Sequence, residues 1–199
     1  MRLDGAMLKG AIGRWCFQMK AVAPELNRLD GQLGDGDLGA SIEKCSTNIA
    51  AAMPDMKDDI PNIFKSCSLA CAKASGSSFG TLLSIGFLTA AKSCAGHSHL
   101  DSREFGLLLA EVVSALADRG GASLGDKTVL DPLHAVAIAL ASAPDDADLR
   151  SIACEATRKT IDAFREKPNK VGRARMFPGK SVGIDDPGMI AFQRMVECL

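Results

Sequence analysis

Three aspartates in and just before the stretch QLGDGDLG are the residues whose type and spacing point most directly to chemistry. Asp30, Asp35 and Asp37 are separated by glycines, which accept positive φ and let a tight turn bring carboxylates together. Carboxylates held so close repel one another unless a cation neutralises them, and ligation by oxygen alone suits Mg²⁺ with bound phosphates. A solvated acidic turn, in which aspartates form the turn and cap a helix, fits the same spacing. The spacing alone leaves both interpretations open.

Two other motifs with glycines and aspartates are excluded for this stretch. Its glycines spell G-x-G-x-x-G, but the preceding segment VAPELNRL is helix-like, whereas the dinucleotide fingerprint follows a strand in a βαβ unit. An EF-hand loop requires Glu at its twelfth position, and counting from Asp30 or Asp35 ends on Ser41 or Ser46.

Three further segments combine glycine with hydroxyl, acidic or basic residues. KASGSSFGT precedes an apolar helix whose free N–H groups suit a phosphate, although a plain Ser/Gly helix cap is the simpler interpretation. GGASLGDKT misses the P-loop pattern because Asp126 precedes Lys127, which leaves Lys127 to meet a phosphate or to pair with an aspartate. GRARMFPGKSVGIDDPG offers Arg173 or Arg175 as planar phosphate donors, unless it is simply an exposed loop.

Helical periodicity predicts the elements that must position these segments. Apolar residues repeat at i, i+4, i+7 and i+8 over Leu8, Ile12, Trp15, Cys16 and Met19. Asp101 and Glu104 offer a capping-box-like helix start. Strands are not required, because no run of alternating β-branched residues is present. We expect about eight helices, the others lying near 40–53, 59–74, 79–95, 105–118, 128–142, 149–164 and 187–198.

These elements predict a single all-α domain of antiparallel helices over residues 1–199. Alternate loops of such a bundle emerge at the same end. The connections at 29–39, 73–80, 120–128 and 172–188 can therefore converge on one site, and we expect the chemistry there.

The composition excludes several classes of protein. A net charge of -1, one Trp and no Tyr argue against binding nucleic acid. No uninterrupted apolar stretch approaches the length of a membrane span, and the N-terminal region lacks the layout of a signal peptide. The seven cysteines lie mostly on apolar helix faces and suggest reduced, buried thiols in the cytoplasm rather than a zinc site.

Four segments taken together resemble a known family. LNRLDGQLGDGDLG, ASGSSFGT, GDKTVLDPL and GRAR…SVGIDDPG resemble, in this order, signature segments of the nucleotide-binding L subunit (DhaL family) of dihydroxyacetone kinases. The similarity extends from about residue 25 to about residue 190. It implies a barrel of eight antiparallel helices with ADP or ATP bound at one end.

The resemblance also implies a set of site residues. Two Mg²⁺ ions lie between the phosphates and three aspartates, which match Asp30, Asp35 and Asp37. The nucleotide contacts match Leu38, Gly39, Ala40, Ser41, Ala74, Ser75, Gly76, Gly120, Val129, Arg173, Asp186, Pro187 and Gly188.

The family further implies partners. A separate K subunit holds the ketose covalently through its own histidine, and the L subunit delivers the γ-phosphoryl group. In one branch a phosphotransferase-system M subunit recharges bound ADP, and in another branch ATP exchanges. No general base is expected in this chain, because the acceptor hydroxyl belongs to a substrate on another subunit. The sequence also leaves open whether this chain forms a homodimer.

Several positions depart from the family pattern. Leu38 stands where His, Cys or Thr is usual, and Ser41 where Asn or Thr is common. Ala72 and Lys73 replace a Gly-Gly pair, and Val129 replaces the common Met. Lys73 matters most, because an added cation can reach phosphate and a lost glycine can alter the turn.

These departures keep alternatives to a dihydroxyacetone kinase subunit open. One is a catalytically silent or regulatory nucleotide-binding partner, and another is a kinase subunit for a tetrulose. A related kinase for fatty acids on a carrier protein tends to read P-D-G-D-T-G, and Leu33-Gly34 before Asp35 argues against it.

Overall fold

The computed structural model describes residues 2–74, 76–144, 147–176 and 178–198. Its α-helices, in chain order, are α1 Gly5–Leu33, α2 Leu38–Ala52, α3 Ile60–Ala72, α4 Ser78–Ser93, α5 Ser102–Gly120, α6 Leu130–Ala141, α7 Leu149–Phe164, α8 Pro178–Ser181 and α9 Pro187–Glu197. Short 3₁₀ turns occupy Met53–Asp55 and Arg173–Met176. A pair of two-residue strands, β1 Leu3–Asp4 and β2 His99–Leu100, was not expected and runs antiparallel with Leu3 opposite Leu100.

Side-chain caps fix where most helices begin. Asp4, Asp59, Asp148 and Asp186 each accept a hydrogen bond from a backbone N–H in the first turn of α1, α3, α7 and α9. The capping box predicted at Asp101 is present and starts α5. Each such cap typically stabilises a helix by about 1 kcal/mol.

The eight longer helices close into a ring. Each packs on the next from α1 to α7, α7 packs on α9, and α9 returns to α1. Core side chains such as Met19, Leu26, Ile42, Ile49 and Ile63 are fully buried inside it. The expected all-α barrel of about eight helices is therefore confirmed in the part of the chain that the structure describes.

Close helix crossings depend on glycine. A Cβ at Gly39 would lie 1.9 Å from the Ala23 carbonyl oxygen of α1. A Cβ at Gly106 in α5 would lie 2.4 Å from the backbone nitrogen of Ala141 in α6. Neither position has space for a larger side chain, because the opposing atoms belong to helix backbones.

Four loops lie at the same end of the ring because successive long helices alternate in direction. They connect α1 to α2, α3 to α4, α5 to α6 and α7 to α9. The first loop is shorter than predicted, because α1 continues through Leu33. Leu26 and Leu33, two turns apart and both buried, extend the apolar face of α1, so Asp30 lies in its last turns.

The cysteines are packing residues. All seven thiols are free, and all but the half-buried Cys154 are buried. Burial raises the pKa of Cys16 to about 11 and that of Cys67 to about 12, which keeps these thiols protonated and unreactive. Within the described ranges, no helix has both the length and the apolar character needed to cross a membrane.

Candidate functional site

The four loops at one end of the barrel enclose a cleft of about 540 Å³. All four contribute to its wall, as the convergence of alternate loops predicts. The lining residues are Asp30, Leu33, Gly34, Asp35, Asp37 and Leu38 from the first loop and its helices; Gly76, Ser77, Ser78, Phe79 and Leu82 from the second; Thr128 and Val129 from the third; and Val171, Gly172, Arg173, Ala174, Arg175, Met176, Asp186, Pro187 and Gly188 from the fourth.

An acidic cluster forms one part of this cleft. One carboxylate oxygen each from Asp30, Asp35 and Asp37 lies within 4.8 Å of the other two. Gly36 turns the chain between the last two with φ +77°. A Cβ at Gly34 would lie 2.4 Å from Asp30 Oδ1, so a larger residue at position 34 would clash with that carboxylate. The glycines thus let three carboxylates converge.

Backbone donors and one arginine accompany the cluster. Asp30 Oδ2 accepts hydrogen bonds from the N–H of Asp37 at 3.0 Å and of Leu38 at 3.4 Å. Arg173 forms an ion pair with Asp35, although both side chains are substantially exposed. Arg173 therefore supplies positive charge to carboxylates that would otherwise repel one another.

Apolar side chains form another part of the cleft. Leu38 at the start of α2 is 7% exposed, so it contributes a hydrophobic surface where the family pattern has a polar side chain. The cleft therefore joins an oxygen-rich end to an apolar wall, which suits a ligand with a charged group and a flat apolar group. The wall consists of Leu33, Leu38, Phe79, Leu82, Val129 and Pro187.

Lys127 is not in the cleft. Its side chain is 1% exposed, and its ammonium donates to the carbonyl oxygens of Arg165, Lys167 and Ser181 at 2.9, 2.8 and 2.7 Å. The expectation that Lys127 meets a phosphate or pairs with an aspartate of the acidic cluster is therefore wrong. All three ammonium protons are engaged by the backbone between α7 and α9.

Asp186 joins the cleft to this buried network. Its Oδ1 accepts the N–H of Met189 at 2.9 Å, and its Oδ2 accepts Nδ2 of Asn169 at 2.8 Å. Desolvation raises the pKa of Asp186 to about 6, although these hydrogen bonds and the charge of Lys127 oppose the shift. The pKa of Asp186 is thus well above the usual range of an aspartate.

Asp131 fixes the third loop from the first turn of α6. Its carboxylate accepts the N–H groups of Gly125 at 2.6 Å and Thr128 at 2.8 Å. These bonds hold the Gly-Asp-Lys-Thr turn against the cleft, where Thr128 and Val129 line the wall.

The predicted site residues divide into three groups. Ten line the cleft: Asp30, Asp35, Asp37, Leu38, Gly76, Val129, Arg173, Asp186, Pro187 and Gly188. Five lie outside the lining: Gly39, Ala40, Ser41, Ala74 and Gly120. Gly39 and Ala74 are buried, Ala40 and Gly120 are exposed, and Ser41 is half-buried. The predicted contact at Ser75 falls on a residue outside the described ranges.

Sequence reasoning missed part of the apolar wall. Phe79 and Leu82 lie three residues apart in the first turns of α4, which begins two residues after Gly76, so their helical spacing is a signal for this wall. Lys73, the added cation that can reach phosphate according to the sequence analysis, lines a separate pocket with Asn48 and Asp55. An altered turn after the lost Gly-Gly pair stays a prediction, because that turn includes Ser75, which lies outside the described ranges.

The fold of this chain is similar to that of a solved kinase structure. The structure of the dihydroxyacetone kinase from C. freundii in complex with AMP-PNP and Mg²⁺ matches with a TM-score of 0.76 at 22% identity. The match covers 100% of this chain and 34% of that chain, and it establishes the fold.

The family follows from the sequence match. The model described as the DAK2 domain matches residues 32–199, and the chain belongs to this family. The predicted resemblance is thereby confirmed.

Two curated relatives show how the chain compares with named kinases. The L-erythrulose 1-kinase of Mycolicibacterium smegmatis is 30% identical over 184 residues, which are 88% of this chain and 32% of that protein. The PEP-dependent dihydroxyacetone kinase, ADP-binding subunit DhaL, of Escherichia coli is 25% identical over 179 residues, 87% of this chain and 85% of that protein. The chain spans about a third of the longer kinase but most of the separate subunit. Membership of a kinase family, expected from the sequence, is confirmed.

Proposed function

We propose that this chain is the ADP- or ATP-binding phosphoryl-transfer subunit of a dihydroxyacetone kinase and acts as one domain in the cytoplasm. It would pass the γ-phosphoryl group to a ketose held on a separate K subunit. The observation that carries the proposal is the convergence of three carboxylates with an apolar wall in a single cleft. The similarity to an ADP-binding subunit of comparable length supports it.

The acidic cluster fits the metal that this function requires. Asp30, Asp35 and Asp37 offer oxygen ligands only, as Mg²⁺ prefers, and they leave room for waters and phosphates. These residues would hold two Mg²⁺ ions, as the family resemblance implies. When bound, Mg²⁺ neutralises phosphate charge, which is the main requirement of phosphoryl transfer.

The nucleotide would extend from the acidic cluster to the apolar wall. Arg173 stands beside Asp35, where its guanidinium can exchange an aspartate for a phosphate oxygen. The base would pack on side chains such as Phe79 and Leu82. The predicted contacts at Gly39, Ala40, Ser41, Ala74, Ser75 and Gly120 remain part of the proposal. The N–H of Ala40 already donates to Asn27 Oδ1 at 3.0 Å, so a nucleotide contact there would use other atoms.

We propose that this chain delivers phosphate and that its partner holds and activates the acceptor. The described lining residues include no His, Lys or Cys, and the carboxyl groups there have other roles in the proposal: Asp30, Asp35 and Asp37 bind metal, and Asp186 caps α9 and accepts a hydrogen bond from Asn169. The K subunit, which holds the ketose in the family that the sequence resembles, is the partner that we propose. The donor is either free ATP or ADP recharged by a phosphotransferase-system M subunit.

A tetrulose is the second candidate acceptor, favoured by the similarity to an L-erythrulose kinase. The ketose would be bound by the partner, so residues of this cleft do not discriminate between the two. A catalytically silent nucleotide-binding partner would share the cleft but not the phosphoryl transfer.

Isothermal titration calorimetry tests the binding step directly. ADP should bind the purified full chain in the presence of Mg²⁺ and lose most of its affinity when EDTA removes the metal. ADP binding that is indifferent to Mg²⁺ would contradict the proposed role of the acidic cluster.

A further inference from the structure

We propose that Lys127 is a positioning residue for nucleotide binding: its buried ammonium anchors the segment 165–183 and so holds Arg173 at the acidic cluster. The inference rests on the proposed nucleotide-binding function. Lys127 acts through this segment, since its side chain does not line the cleft.

The anchor is a tripod of hydrogen bonds. Lys127 Nζ donates to the carbonyls of Arg165 and Lys167, just after the end of α7, and to the carbonyl of Ser181, which follows the 3₁₀ turn carrying Arg173. One ammonium therefore joins both ends of the chain segment that contains Arg173. Desolvation lowers the pKa of Lys127, while the negative charges of Asp186, Asp185 and Glu166 oppose that shift.

The backbone at Lys127 is in an unusual conformation. Its φ is 62°, and it is the only non-glycine residue with a positive φ in the described part of the chain. A residue with a Cβ is strained in this region, and such strain persists where the surrounding structure holds it. Here the turn directs the lysine side chain into the base of the segment instead of toward the cleft.

Hydrogen bonds close the base of the segment around this ammonium. The N–H of Asn169 donates to Ser181 Oγ at 3.0 Å, and the N–H of Gly183 donates to the Arg165 carbonyl at 2.9 Å. The two ends of the segment that carries Arg173 are thus tied to each other.

Asn169 couples the same base to the cleft. Its Nδ2 donates to the Lys127 carbonyl and to Asp186 Oδ2, both at 2.8 Å. The two acceptors fix the orientation of the amide, because a reversed amide would set its oxygen against them. Lys127, Asn169 and Asp186 therefore form one connected unit.

The 3₁₀ turn that carries Arg173 buries little apolar surface. Within Arg173–Met176 only Ala174 is buried, whereas Arg173, Arg175 and Met176 are exposed. A loop with so little apolar burial keeps its position through its base. Losing the tripod should therefore displace Arg173, while Asp30, Asp35 and Asp37 stay in place on α1 and the loop to α2.

Lys127→Met, which keeps the length of the side chain and removes its charge, is the direct test. Hydrogen–deuterium exchange should become at least about tenfold faster at the amides of Asn169 and Gly183, with little change in the core of α2 and α3. Affinity for ADP with Mg²⁺ should fall about tenfold, since a displaced loop misplaces its contacts. Mn²⁺ alone, followed by electron paramagnetic resonance, should still bind.

Controls separate positioning from general stability. Lys170 lies in the same segment as Arg173, and its exposed ammonium is 3.5 Å from Asp126. Lys170→Met removes that ammonium and should change ADP affinity less than about twofold. In an Arg173→Gln background, Lys127→Met should weaken ADP binding less than it does in the natural chain. The reason is that Lys127 acts by positioning Arg173, whose contribution is already lost in that background.

Unchanged ADP affinity in folded Lys127→Met would overturn the inference, and so would an equal loss in the Arg173→Gln background. If Lys127→Met does not fold, Asn169→Ala is the second variant, with the same exchange pattern expected and a normal pattern contradicting the anchor. Failure of the natural chain to bind ADP would instead refute the proposed function, and the exchange comparison would still test the anchor.

Discussion

Replacing Asp35 by Ala should separate the stability of the fold from its function. Within 4.8 Å, Asp35 is repelled by Asp30 and by Asp37 by about 0.9 kcal/mol or more per pair in water. The exposed ion pair with Arg173 offsets this by about 0–1 kcal/mol. Asp35→Ala should therefore raise the free energy of unfolding by about 1–2 kcal/mol.

The effect on ligand binding should have the opposite sign. One of three oxygen ligands is lost, so affinity for ADP with Mg²⁺ should fall by at least about 100-fold, or about 2.7 kcal/mol. Calorimetry measures the affinity and thermal unfolding measures the stability. Glu43→Ala is the matched control, because it removes one exposed negative charge from α2 outside the cleft lining.

A destabilised Asp35→Ala variant that binds ADP as tightly as the natural chain would refute this reasoning. It would mean that Asp35 is part of the packing and that the carboxylates do not share a cation. Loss of affinity in Glu43→Ala would show that net charge, rather than ligation, governs binding.

Three other predictions use the same methods. Gly34→Ala places a Cβ 2.4 Å from Asp30 Oδ1, so metal-dependent ADP affinity should fall about tenfold in calorimetry while the melting temperature changes little; an unaltered affinity would contradict the close approach. Gly106→Ala sets a Cβ 2.4 Å from the Ala141 nitrogen and should lower the free energy of unfolding by about 2 kcal/mol in urea titrations; a neutral result would contradict the tight crossing of α5 and α6. The raised pKa of Asp186, about 6, means that its carboxyl stabilises the folded state most below its unfolded pKa and loses that contribution as pH rises through 6. The stability of Asp186→Asn relative to the natural chain should therefore increase between about pH 4 and pH 6 and level off above, and a flat difference would refute the shift.

The fold was largely predictable because the apolar residues repeat with helical period. The eight long helices lie close to their predicted ranges, and α7, Leu149–Phe164, matches its range of 149–164. The end of α1 was placed too early because the segment 29–39, which is rich in Gly and Asp, was assigned to a loop. The buried face through Leu26 and Leu33 outweighs that local preference.

The cleft was predictable as a meeting of loops, since alternate connections of an antiparallel bundle share one end. The role of Lys127 was not, because its direction depends on a positive φ and on carbonyls that follow it by 38 to 54 residues. No local pattern in Gly-Asp-Lys-Thr distinguishes an ammonium that binds phosphate from one that anchors a backbone. Long-range contacts of this kind appear only once the fold brings the segments together.

The most direct test of the central claim is phosphoryl transfer in a reconstituted mixture. The purified chain should transfer ³²P from γ-labelled ATP to dihydroxyacetone, or to a tetrulose, only when Mg²⁺ and a ketose-binding K subunit are both present. Asp35→Ala should abolish this transfer. Rapid ketose phosphorylation by the chain alone, or none with a K subunit despite tight Mg²⁺-dependent ADP binding, would contradict the claim.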